Sequence, residues 1–282
     1  HLKCSNFRIW EFDYQEEGVA EQWFTYLRDK VLPEARKLDL DKVDPIRQKP
    51  SRDLFLQAEF KLVSSLITGG PSDLDTDAQK TPLHSSGKPV ISGSALIGAL
   101  RQRARRILQV TGVPDFAVHL NKLFGYEGDE GDKTKVQRSR IDTREVALRG
   151  KVAKQIRVRL DRFSQAPVEG GLFDSAPVWK VKGDAESGKV SFWWRIRNYQ
   201  KGEAALLLHL LRDLWTEDLP LGGEKGVGRG RLQGISAEIA FPEGNARIEQ
   251  EDKKSLRITD PNNLLAAFNH PLNQLFPPHH AP

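Results

Sequence analysis

Six glycines stand with Lys225, Arg229 and Arg231 in LGGEKGVGRGRLQG, residues 221–234. Glycine at this density lets backbone N–H groups crowd around an anion, and the cations add charge. The chemistry on offer is phosphate binding, and the phosphate belongs either to a nucleotide or to a nucleic-acid backbone. A P-loop needs G-x-x-x-x-G-K-[ST] between a strand and a helix. Here no Ser or Thr follows a Lys, and the predicted order is helix, loop, strand. The dinucleotide pattern G-x-G-x-x-G is also absent. A flexible connection is the plain alternative, although two arginines flanking Gly230 are a costly choice for a mere linker.

The elements that must hold this loop are legible from periodicity. EAALLLHLLRDLW (203–215) predicts an apolar helix before it, and Ile235, Ala237, Ile239 and Phe241 a strand after it. LFLQAEFKL (54–62) alternates cleanly, with Leu54, Leu56, Ala58, Phe60 and Leu62 on one face. It leads into GGPSDLDTDAQKTPLHSSGK, a loop of turn formers and acids. SGSALIGALRQRARRIL (92–108) predicts a helix with Leu96, Ile97, Leu100, Ala104, Ile107 and Leu108 inward and four arginines outward. Ser92 or Ser94 caps its start, where the N–H groups around Gly93 and Ser94 offer a second phosphate site.

Segments 140–149 and 155–163 read as extended and basic, 164–190 as irregular, and SFWWRIRNY (191–199) as a strand. The order strand, helix, two or more strands, helix, strand predicts an α+β fold: a ferredoxin-like (RRM-like) βαββαβ core. Residues 1–53 read as an N-terminal extension or linker, with a strand in FRIWEF (7–12) and helical spacing from Val19 to Leu38 broken near Pro33. The tail 242–282 reads as a polar C-terminal extension.

Lys and Arg exceed Asp and Glu by 43 to 38, a net +5 that suits a polyanionic partner without requiring one. The single cysteine, Cys4, excludes a disulfide framework and a thiolate metal cage and fits a reducing cytoplasm. No apolar run approaches the roughly 20 residues of a membrane span, so no membrane partner is expected.

Five stretches in order resemble the RAMP superfamily of CRISPR proteins: PVISGSALIGALR (89–101), KLFG (122–125), SRIDTREVAL (139–148), VRLDRFSQAPVEGGLF (158–173) and the glycine-rich loop. The resemblance covers residues 54–241 and is nearest to the backbone subunit of type III RNA-guided effector complexes. It implies a core with a thumb-like insertion at about 150–190 and a prokaryotic cytoplasmic location. The implied partners are CRISPR guide RNA, target RNA, and other RAMP-type and large subunits.

In that family an Asp about ten residues before the Gly of the segment matching Gly87 cleaves target RNA. Counting back gives Asp77 as catalytic residue and Mg²⁺ ligand, with Asp75 and Asp73 two and four positions away. Mg²⁺ needs only one or two protein carboxylates, because substrate oxygens and waters complete its shell. RNA contacts are expected from Gly93, Ser94, Arg101, Arg105, Arg162, Gly226, Gly228, Arg229, Gly230 and Arg231, and base stacking from Trp193 or Tyr199. The chain departs from the family pattern at Ser92 and Ile97, where Pro and Lys are usual. A non-catalytic structural paralogue and a metal-independent guide-maturation endonuclease using His84 stay open as alternatives.

Overall fold

The computed structural model describes residues 52–70, 78, 80–126, 136–252, 255–276 and 278, with the backbone of 10–11 and 36–37. Contacts divide the chain into His1–Pro50 and Ser51–Pro282. In the first unit Trp10–Glu11 pairs antiparallel with Arg36–Lys37. The helical spacing expected up to Leu38 therefore gives way to strand at 36–37, and its remainder lies outside the described residues.

The second unit is an α+β structure. Its main elements are β1 (Leu54–Leu62), α1 (Gly93–Val110), α2 (Phe116–Phe124), β2 (Ile141–Thr143), β3 (Gln155–Leu160), β4 (Pro167–Ser175), β5 (Lys189–Ile196), α3 (Lys201–Trp215), β6 (Leu232–Phe241), β7 (Gly244–Gln250) and β8 (Leu256–Thr259). Six strands form one antiparallel sheet in the order β8–β7–β6–β1–β5–β2. β1 lies between β6 and β5, with Leu56 opposite both Ile239 and Trp194.

Alternation decides which face is covered. Leu54, Leu56, Ala58, Phe60 and Leu62 of β1 are buried, as are Val190, Phe192, Trp194 and Ile196 of β5. They join Leu96, Leu100, Ala104 and Leu108 of α1 and most of α3 in one core. Phe60 meets Phe192 at 5.4 Å and the edge of Trp215 from α3 at 6.0 Å. The other face carries Gln57, Glu59 and Lys61, all exposed.

Three stretches differ from the sequence expectation. Residues 164–190 are not irregular throughout: Pro167–Ser175 pairs with Gln155–Leu160 as a two-stranded ribbon, Val158 opposite Leu172. Pro167, Gly170 and Gly171 interrupt its pattern, and because so little of it is buried no alternation of polarity marks it. The nine-residue α2 is too short for periodicity to declare it. Beyond Pro242 the chain adds β7 and β8 to the sheet, then lays a 3₁₀ turn (Leu264–Asn269) on α3, where the Phe268 ring packs against His209 at 4.5 Å, tilted by 37°.

Gly234 shows how closely the glycine-rich segment is fitted to the core. β6 carries a bulge between Gly234 and Ser236, and a Cβ at Gly234 would sit 1.8 Å from the Trp215 ring. Gly234→Ala should force that ring aside and cost about 1–3 kcal/mol of overpacking, seen as a lower thermal midpoint with the secondary structure retained.

Candidate nucleic-acid interface

The glycine-rich segment is a structured loop between α3 and β6. Gly222, Gly228 and Gly230 adopt φ of +79°, +82° and +76°, a region open to glycine without strain. Gly230 is the most constrained: its N–H donates to the Ser65 carbonyl at 2.8 Å, and a Cβ would lie 1.8 Å from the Leu221 carbonyl oxygen. Gly226 and Gly228 have open space where a Cβ would project. The segment thus has a packed inner side and an outer side that a backbone phosphate can approach.

Arg229 belongs to the inner side, contrary to the expectation of a phosphate contact. Its side chain is 3% exposed and every nitrogen of the guanidinium has a partner. Nε donates to Glu224 at 2.8 Å, Nη1 to Ser65 Oγ at 2.7 Å, and Nη2 to Gln155 at the root of the ribbon. Arg157 of β3 also pairs with Glu224, and Arg229 lies 5.2 Å from the Trp179 ring. A buried guanidinium is tolerable only when matched this fully. Burial pushes the Glu224 carboxyl up, but Arg157 and Arg229 prevail and hold it below the usual carboxylate range. Sequence reasoning missed Glu224; an acid with φ of +55° inside a basic glycine loop is the signal that it holds something in place.

The second expected phosphate site converges on the same place. Ser92 Oγ accepts the Ala95 N–H at 3.2 Å and caps α1, and Gly93 packs 3.2 Å from the Thr143 methyl, counted from where its Cβ would be. Ser92 and Ala95 share a groove of about 280 Å³ with Gly222, Gly223 and Lys225 of the glycine loop. Gly69 and Leu83 line its other wall. Gly69–Gly70 pairs with Thr81–Pro82, so this wall is the base of the acidic loop. Asp73, Asp75 and Asp77 themselves lie outside the described residues.

The remaining candidates divide by what they touch. Arg231 and Arg105 are exposed, and Arg101 is half-buried, donating to Asn121 at 2.9 Å. Arg162 is exposed in the ribbon turn, where Asp161 accepts the N–H groups of Phe163 and Ser164 at 3.0 and 2.8 Å. Trp193 is half-exposed on the open sheet face with the Arg144 guanidinium 4.3 Å above its ring. Tyr199 instead packs edge-on against Phe241 and donates to Glu243, and burial is the main cause that pushes its pKa up to about 12. His84 is exposed on a hairpin turned by Ser86 and Gly87, at φ of +49° and +73°.

Among the described residues no group of three or more His, Cys, Asp or Glu stands together as a metal cage, and no helix is long and apolar enough to cross a membrane. What the fold does assemble is a polar groove carrying Lys225 between a capped helix start and a glycine-rich loop, beside an antiparallel sheet. That is the make-up of an RNA-binding α+β protein. The chain belongs to the RAMP superfamily, whose family model matches residues 59–233, and this makes it a CRISPR-associated RNA-binding protein. A search of the curated proteins finds no match to it.

The two arginines beside Gly230 should separate cleanly on substitution. Arg229→Ala removes the buried guanidinium and leaves Glu224, Ser65 and Gln155 each with one partner fewer, which should cost about 1–3 kcal/mol, whereas exposed Arg231→Ala should stay within about 0.5 kcal/mol. The pH dependence follows from the depressed Glu224 carboxyl. Its ion pairs contribute fully above the ordinary value of 4.5 and fade as pH falls through the lower folded-state value. Thermal unfolding of Glu224→Gln against wild type should show a gap at neutral pH that closes in acid.

Proposed function

We propose that the chain is a backbone subunit of a type III CRISPR effector complex that cleaves guide-paired target RNA. The observation that carries this reading is the groove in which the glycine loop, the start of α1 and the base of the acidic loop meet. Such a meeting supports a guide-RNA backbone lying beside the base of the loop whose sequence carries Asp77.

The core fits the ferredoxin-like plan: taking β1, α1, β2, β5, α3 and β6 in order, the strands lie fourth, first, third, second across the sheet. The ribbon of β3 and β4 fits a thumb. Ile156, Val158, Leu160 and Leu172 are exposed along it, and Phe163 is 91% exposed at its turn. An apolar ribbon of this kind favours splaying a nucleotide out of the guide–target duplex rather than tracking its phosphates.

Once a target nucleotide leaves A-form geometry, its 2′-OH can line up with the adjacent phosphate. Asp77 accepts the hydroxyl proton, the 2′ oxygen attacks phosphorus, and the P–O5′ bond breaks. The departing 5′ oxygen takes a proton from water, leaving a 2′,3′-cyclic phosphate and a 5′-hydroxyl. The Asp-rich stretch suits a hard cation, and Mg²⁺ held by Asp77 and RNA oxygens would supply charge to offset the attacked phosphate.

The test is the chain assembled with guide RNA and its neighbouring subunits, given labelled complementary RNA. Asp77→Ala should abolish one specific cut while leaving target binding intact. An unchanged product ladder would move the chemistry to Asp73, Asp75 or another subunit, and leave this chain an RNA-holding scaffold. Cutting of guide-precursor RNA that survives EDTA and is lost in His84→Ala would point to guide maturation instead.

A further inference from the structure

Where β1 ends, four cations from four segments crowd the open face of the sheet. Lys61 stands directly opposite Lys189 of β5, and both are exposed. Lys180 arrives from the preceding loop, its N–H donating to the Ser64 carbonyl at 3.3 Å. Its stem lies over Gly188, where a Cβ would stand 3.2 Å from Lys180 Cγ. The Lys180 stem thereby lies beside the residue that precedes Lys189, the direct cross-strand partner of Lys61. Arg231, the exposed arginine of the glycine loop, completes the group, since its carbonyl accepts the Val63 N–H at 3.0 Å.

Like charges placed directly across a sheet are destabilising, so the arrangement needs a counter-charge. For Lys189 the chain supplies one: Glu186 pairs with it and Glu59 lies near. Among the described residues Lys61 and Lys180 have no carboxylate in ion-pair contact. Burial, then the charge of Lys61, depresses the pKa of Lys180, as expected of an ammonium group without a counter-ion.

We propose that Lys61 and Lys180 together hold one or two phosphates of a single RNA strand that runs from the outer side of the glycine loop, past Arg231, onto the open face of the sheet. The reading rests on the RNA-binding role proposed above and adds a track to it. Charge complementarity selects the ligand, because a phosphodiester supplies the negative charge that neighbouring carboxylates do not give these two lysines among the described residues. Continuity with Arg231 selects a strand rather than an isolated anion.

The experiment uses the full chain and a labelled oligouridylate. In wild type, RNA should protect Lys61 and Lys180 from amine acylation mapped by mass spectrometry, and inorganic phosphate at matched ionic strength should not. In Lys61→Gln/Lys180→Gln the slope of log Kd against log salt should shrink by about 0.7–1.4, at ~0.7 per phosphate on a single strand. Lys180→Arg should keep the wild-type slope, which separates charge from shape. RNA that binds wild type yet leaves both lysines reactive and the slope unchanged would overturn the track while leaving the RNA-binding role intact. Protection by inorganic phosphate alone would make this a free-anion site and overturn the strand. Absence of any RNA binding by wild type would overturn the RNA-binding role and the track together.

Discussion

One buried cation among the described residues, Arg229, organises the end of the fold that carries the glycine-rich loop. Arg229 is a charge taken out of water inside a loop rich in glycine, and such a charge persists only if fully matched. The matching draws in Glu224 from the same loop, Ser65 from beyond β1, and Gln155 from the ribbon. Arg157 joins through Glu224. One guanidinium therefore fixes the relative placement of three segments that hydrophobic packing alone leaves loosely defined, because glycine offers no side chain to pack.

That constraint explains how a loop with so much conformational freedom presents a defined surface. The residues with φ near +80° turn the chain where the Arg229 network and the Ser65 and Ile67 carbonyls anchor it. Gly226 and Gly228 then face outward with nothing above them. The capped start of α1 stands across the groove, and its free N–H groups carry the partial positive charge of a helix N-terminus. The helix start and the glycine loop thus line one groove, though they are over a hundred residues apart in sequence.

Much of this was legible in advance where burial imposes a period. The alternation of LFLQAEFKL became β1 residue for residue, and the arginine-backed helix at 92–108 became α1 with Ser92 as its cap. Reading failed where local pattern carries no trace of the tertiary partner. Arg229 and Arg231 look alike in GRGR, yet one is buried and the other exposed, because only the fold decides which meets Glu224. The strand Pro167–Ser175 was hidden for a related reason: a ribbon with little buried side has no inward face to leave a period. Lys61 and Lys180 are far apart in the chain, and only the pairing of Val178–Trp179 with Ser65–Leu66, continued by the Lys180 N–H to Ser64, brings their segments together.

The ribbon has a consequence for how the chain behaves before assembly. Two strands alone are marginal in water, and here they expose Ile156, Val158, Leu160 and Leu172, with no third strand paired to them among the described residues. Unpaired edges bearing apolar side chains are the template for promiscuous strand addition. Left without partners, the chain carries a built-in route to self-association, which the charged residues Arg157, Arg159 and Asp161 only partly guard. A partner that covered the ribbon would then shield the chain from its own copies as well as bind it.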